Sequence, residues 1–317
     1  MADDKSLFNA AGGRLEAAAA ASVTRRMTPP IPQIAGVTHE EITVRGLRRH
    51  IATAGPDDGR PVYLHHGWPQ HFWMWRHLIP ALAAEGCRVI APDSRGFGWT
   101  EHPPDEDFSF QAFVDDTAAI CQALGLERIR FVGHDWGCWF GFLLCLERPD
   151  LVERAVLMSA PHPWPPEPTP DLETLKRLSG LLYQVAIGAP AVPKAAKLAL
   201  FRTVAQVAHG KGFPEDELRA FTEPLAQPSQ VRASTLLYRN SVLRELAPVA
   251  KGKYRDRRLE VPTLYLMGDG DPLFEEPQFR SLRDHGDDVR TEVISGAGHF
   301  LPEEAPDAVR ERVLGFL

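Results

Sequence analysis

Residues 130–138 read Arg130-Phe-Val-Gly-His-Asp135-Trp-Gly-Cys138, and this stretch decides the fold. An apolar strand runs out, glycines stand two residues before and two after Asp135, and an almost wholly apolar helical stretch, Trp136 to Leu146, begins at once. Small residues on both sides let the chain turn tightly and expose the central side chain. An aspartate at such a tip is already ionised at neutral pH. It needs no base to displace a leaving group at a saturated carbon, and the product is an alkyl ester. The helix behind it places its positive end beside that carboxylate. The same residues also suit a plain Asp N-cap after a strand, so the elbow alone leaves both readings open.

The flanking sequence supplies a sheet for this elbow. Glu41 to Val44 and Leu47 to Ala52 suit paired strands, with Gly46 as the turn residue between them. Pro61 to His65, Arg88 to Pro92, Arg128 to Val132 and Arg154 to Met158 are short apolar runs suited to buried strands. Helical patterns, Trp75 to Glu85 and Phe110 to Leu124, fall between them. That alternation predicts a mostly parallel central sheet flanked by helices. It stops at Pro161-His-Pro-Trp-Pro-Pro-Glu-Pro-Thr-Pro170, too rich in proline for a helix or a central strand. Asp171 to about Ala250 is helical in pattern, and strands return at Thr263 to Met267 and Arg290 to Ile294 before an amphipathic helix, Pro306 to Phe316. The expected organisation is an α/β core of residues 36–160 and 251–317, with residues 161–250 as an inserted helical cap. Residues 1–35 form a leader whose alanine run, Ala17 to Ala21, favours helix until Pro29, Pro30 and Pro32 end it.

Composition narrows the function. Over 317 residues, 44% are hydrophobic and 24% charged, enough apolar material for a large core and too much for a disordered chain. A net charge of −7 repels a phosphate backbone and argues against nucleic acid as the main partner. Cys87, Cys121, Cys138 and Cys145 lack metal-site spacing and sit mostly in apolar stretches, as reduced core residues do. No basic region followed by an apolar run opens the chain, and no apolar stretch approaches bilayer-spanning length. The expectation is a cytoplasmic protein without a membrane.

Three further motifs give Asp135 chemical partners. His65-His-Gly-Trp-Pro69 follows an early strand, where a loop can offer a backbone N–H to a developing oxyanion. The donors expected are the amides of Trp68 and Trp136, and Pro69 suits a cis turn. His66 can touch substrate or serve structure. Gly296-Ala-Gly-His299-Phe follows the last strand, and Leu266-Met-Gly-Asp-Gly-Asp271-Pro follows the one before it. His299 comes after the elbow in chain order, as a base should, and either Asp269 or Asp271 could orient it.

With these residues assembled, the chain resembles the α/β-hydrolase superfamily, and within it the aspartate-nucleophile branch of epoxide hydrolases, from about Glu41 to Leu317. His66-Gly-Trp-Pro69 is similar to that family's HGxP motif, and Gly133-His-Asp-Trp-Gly137 to its nucleophile motif. Gly298-His-Phe with Glu304-Ala-Pro306 is similar to its histidine motif. The resemblance implies Asp135 as nucleophile, His299 as base and Asp271 as acid. It prefers Asp271 to Asp269 because Asp271 stands three residues after Gly268, where the family places its acid. It also implies two cap tyrosines that hold the epoxide oxygen. Tyr238, in Leu-Leu-Tyr-Arg-Asn240, matches one closely, and Tyr183, in Tyr-Gln-Val-Ala-Ile-Gly-Ala-Pro190, matches the other more loosely.

The activity so implied turns an epoxide and water into a vicinal diol through an alkyl-aspartyl ester. Neutral His299 activates the water, and no metal, nucleotide or redox cofactor is needed. The partners are a small apolar epoxide and water; His66, Trp68 and Trp136 are the candidate substrate contacts, and oligomeric state, a homodimer included, stays open. Two alternatives remain at this stage. Haloalkane dehalogenases share the Asp-His-Asp set, and Trp136 could donate to a halide, although Gln70 is not the asparagine common in that family. Fluoroacetate dehalogenases carry arginines after the nucleophile where this chain has Trp136 and Trp139. The other alternative is a non-catalytic α/β-hydrolase scaffold that only binds.

Overall fold

The structure is a computed structural model describing residues 29–164, 182–272 and 276–317. The alanine run of the leader and the prolines beyond Trp164 lie outside them. The elements below belong to Ile31–Leu317, a unit distinct from Met1–Pro30. Ile31 and Ile34, within the expected leader, pack against the core together with Val37.

Eight strands form one sheet in the order β1-β2-β4-β3-β5-β6-β7-β8. They are β1 Thr38–Val44, β2 Leu47–Ala54, β3 Arg60–His65, β4 Cys87–Pro92, β5 Ile129–His134, β6 Val152–Met158, β7 Thr263–Gly268 and β8 Val289–Ile294. The β1–β2 and β2–β4 pairs are antiparallel and every other pair is parallel. The β1–β2 turn has positive φ at both central residues, Arg45 at 52° and Gly46 at 71°, the twist a two-residue hairpin needs. β5 and β7 are buried along their whole length, which accounts for their largely apolar runs.

Helices α1 Ile79–Ala84, α2 Phe110–Ala123 and α3 Trp136–Glu147 connect the first strands. The expected helix from Trp75 is shorter: Phe72–Trp75 is a 3-10 turn, and α1 starts only at Ile79. Pro80 is the physical reason, since proline lacks an N–H and is tolerated in a first turn but not in a helix interior. Phe72 and Trp75 are fully buried core residues. α3 is buried from Gly137 to Leu146, and Phe140 stacks on Phe113 of α2 at 4.1 Å between ring centres.

Between β6 and β7 the described insertion is helical, as its pattern predicts. It comprises α4 Leu182–Gly188, α5 Lys194–Ala208, α6 Glu215–Leu225, α7 Pro228–Asn240, a π turn at Ser241–Glu245 and α8 Leu246–Ala250. α9 Glu276–Ser281, α10 Leu301–Glu304 and α11 Pro306–Phe316 complete the chain. Among the described residues, no helix is long and apolar enough to cross a membrane.

The strand order locates the site. After β3 the chain steps outward to β4, then returns to place β5 on the other side of β3. Strand-end loops diverge at such a reversal and leave a crevice. Gly67 and Trp68 follow β3 there, and Asp135 follows β5.

Candidate active site

Asp135 sits at φ 53°, ψ −119°, a backbone conformation that L side chains rarely adopt. The turn closes because its neighbours lack side chains. A Cβ on Gly133 would stand 2.4 Å from the Gly137 carbonyl oxygen, and one on Gly67 would stand 2.4 Å from the Asp135 Cβ. Glycine is therefore a steric requirement on both sides of the crevice.

Each Asp135 oxygen has its own partner. The Trp68 amide donates to Oδ1 at 2.7 Å, and Oδ2 lies 3.5 Å from Nε2 of His299. On the far side of the ring, His299 Nδ1 is 2.9 Å from Asp271 Oδ2. The structure thus brings together Asp135, His299 and Asp271 from the ends of β5, β8 and β7. Asp269 is turned to another task and accepts the Gly296 amide at 2.8 Å. The Trp68–Pro69 peptide is cis, and Trp136, the other expected donor, is the first residue of α3.

Burial works against a charged His299, but Asp271 and Asp135 outweigh it and push the imidazole up to about 10. The resting ring is therefore protonated at neutral pH. The two flanking carboxylates thus favour the imidazolium at rest over the neutral base expected from the sequence.

Tyr183 on α4 and Tyr238 on α7 approach each other, with ring centres 5.9 Å apart. Tyr238 is buried and edges onto Trp68 and Trp136 at 5.2 and 5.6 Å; Tyr183 is half-buried. Burial, then the charge of Asp135, raises the Tyr183 phenol above its usual value. Burial, then Tyr183, then Asp135 does the same to Tyr238. Both phenols stay protonated near neutral pH, close enough to sense the carboxylate.

His66, expected to contact substrate or to serve structure, has both ring nitrogens engaged. Its Nδ1–H donates to the Gly67 carbonyl at 2.9 Å, and its Nε2 accepts the Ser94 amide at 2.9 Å. Both partners are backbone groups, so His66 ties the loop after β3 to the loop after β4. Trp68 contributes its amide to Asp135, while its indole N–H donates to Ser234 Oγ of α7 at 3.0 Å.

Several neighbours carry no recognised signal in the sequence. His134 Nε2 donates to the His299 carbonyl at 2.8 Å. The buried Glu303 accepts from Gln70 Nε2 at 3.1 Å and pairs with Arg76, which also reaches Glu217 of α6. Glu304, quoted above only as part of a motif, accepts three backbone amides. Among the described residues, no group of three or more His, Cys, Asp or Glu side chains is arranged to hold a metal ion.

A carboxylate at an elbow after β5, an acid after β7 and a histidine after β8 follow the strand-end order of α/β hydrolases. Residues 60–306 match the α/β hydrolase fold family, and the chain belongs to it. Among its relatives is the soluble epoxide hydrolase of Corynebacterium sp. (strain C12), 28% identical over 302 residues that span 88% of this chain and 97% of that one. Epoxide hydrolase 1 of Siraitia grosvenorii is 27% identical over 316 residues, covering 89% of this chain and 98% of its own. A solved structure, the epoxide hydrolase CorEH without ligand, superposes with a TM-score of 0.76 at 26% identity, over 88% of this chain and 98% of that one.

Proposed function

We propose that this chain is an epoxide hydrolase that works without a cofactor through an ester on Asp135. The observation that carries the reading is the meeting of two cap phenols, Tyr183 and Tyr238, with ring centres 5.9 Å apart, where Tyr238 edges onto Trp68 and Trp136, the residues whose amides flank the elbow carboxylate. The relatives named epoxide hydrolases over nearly the whole chain support it.

The geometry suggests a division of labour. Oδ1 is held by the Trp68 amide, which leaves Oδ2 to attack a ring carbon. The C–O bond of the ring breaks, and the ring oxygen takes a proton from Tyr183 or Tyr238 in the cap. His299, protonated at rest, makes good that proton and becomes neutral. Asp271 and Asp135 together hold the imidazole up, and ester formation removes the Asp135 part. The base is thus produced by the step before the one that uses it.

Neutral His299, oriented by Asp271, then takes a proton from water as the oxygen adds to Cγ of the ester. Negative charge gathers on Oδ1, where the Trp68 amide already points, with the Trp136 amide as second donor. Collapse expels the diol, which takes the proton of the added hydroxyl, and the Asp135 carboxylate and protonated His299 are restored. Protons balance over the cycle. All four cysteines are free and buried, which supports a reducing compartment, the cytoplasm.

Halide chemistry is less well served. The Trp68 indole N–H is committed to Ser234, and Trp136 lies edge-on to Tyr238. The deciding experiment is a panel of epoxides and haloalkanes with diol and halide scored separately. It is followed by one turnover in ¹⁸O-water. Diol should form, its new oxygen unlabelled in the first turnover and the label left in Asp135; halide without diol would overturn the reading.

A further inference from the structure

Glu304 lies on α10, just past the candidate base, with a fully buried side chain. Its Oε1 accepts the Phe300 amide at 2.9 Å, and its Oε2 accepts the Gly298 amide at 2.7 Å. These are the residues on either side of His299. The same Oε2 accepts the Gly210 amide at 2.9 Å, from the turn that ends α5 in the insertion. Two residues earlier in that turn, the Ala208 carbonyl accepts the amide of His299 itself at 3.0 Å. Space is as tight as the bonding: a Cβ on Gly298 would stand 2.6 Å from the Gly210 nitrogen and 2.9 Å from both the Ala208 oxygen and Glu304 Oε1.

We infer that Glu304 is a positioning residue for the hydrolytic half-reaction, clamping the His299 loop to the Ala208–Gly210 turn of the insertion so that this contact sets where the base stands. The inference rests on the ester mechanism proposed above. Its physical basis is that a buried carboxylate is an acceptor only, so three N–H groups converging on it form a rigid three-way joint. A glutamine in its place presents an N–H₂ to at least one of those amides, and donor then faces donor. Displacement of a reacting group by about 1 Å typically costs on the order of 10²-fold in rate. In ring opening the phenols deliver the proton directly and His299 only restores it afterwards, whereas in hydrolysis His299 must itself reach the attacking water, so the loss should fall on that step.

The test compares ester formation with ester decay in single turnovers of an epoxide that the unmodified enzyme converts. In Glu304→Gln, ester should form within about threefold of the normal rate and decay about 10–100-fold more slowly. Gly210→Ala is the second variant, for the case in which Glu304→Gln fails to fold. Position 210 is exposed, and its added Cβ would press on Oε2 from 2.9 Å while leaving the carboxylate in place. It should show the same split in milder form. Ester decay at the normal rate in the folded variants overturns the inference. So does an equal fall in both steps, since a contact that merely supports the fold would not separate them. If the unmodified enzyme forms no ester with any epoxide, the function itself falls, a result distinct from either of these.

Discussion

The backbone amide of Trp68 stands 2.7 Å from Oδ1 of Asp135, so the oxygen that would become an oxyanion is already held by its donor in the resting state. The same bond fixes the carboxylate plane and leaves Oδ2 towards His299. Replacing Asp135 by Asn retains a residue that tolerates positive φ and removes the nucleophile. The fold should survive, and turnover should fall about 10⁴-fold or more. Near-normal diol formation in a folded Asp135→Asn protein would refute the assignment.

His299→Gln should uncouple the two steps. Attack by Oδ2 has no need of a base, whereas ester hydrolysis does. Intact mass after exposure to a converted epoxide should show the enzyme plus one substrate mass. An unmodified protein would count against His299 as the base.

The phenols should matter in the opposite half. Tyr183→Phe and Tyr238→Phe should each slow ester formation by about 10²–10³, the usual loss for one preorganised donor, with a larger loss in the double variant. Ester decay should change little, because its oxyanion forms at the Trp68 amide. Equal slowing of decay would remove the tyrosines from ring opening.

The raised His299 gives a pH signature. Its folded-state value, about 10, stands above the ordinary value near 6.5. The pairing therefore stabilises the fold fully below about 6.5 and loses that contribution as the pH rises through about 10. Urea midpoints should decline over this window more steeply in the unmodified protein than in His299→Gln. Ester decay, by contrast, should gain rate with pH through a value below that of the resting ring, since Asp135 is neutral in the ester. Matching values in the resting enzyme and the ester would show that the Asp135 charge does not control the base.

Local sequence carried the elbow, because its requirements are local: two small residues, a strand before and a helix after. The same holds for the order of Asp135, Asp271 and His299, each placed just past a readable strand. Contacts that depend on tertiary placement left no such trace. Trp68 meets Ser234 across 166 residues of chain, and Gly210 meets Glu304 across 94. Asp269 and Asp271 share one loop and one chemistry, and only the path of the chain after β7 turns one to Gly296 and the other to His299. His66 was ambiguous for a related reason, since the Ser94 amide that occupies its ring comes from the loop after β4.

The ties between insertion and core bear on how molecules are admitted. α5 and its following turn are fastened at Ala208 and Gly210, α6 at Glu217 and Ala220, and α7 at Gln230, Arg232 and Ser234. A rigid outward swing would break these together, and even a neutral hydrogen bond contributes about 1 kcal/mol. Between the described helices, traffic to Asp135 then threads past side chains, as through a turnstile, and the girth of the visitor becomes the criterion for entry there. A covalent bridge in place of the exposed Arg232–Glu106 pair should leave the uptake of a small epoxide unchanged.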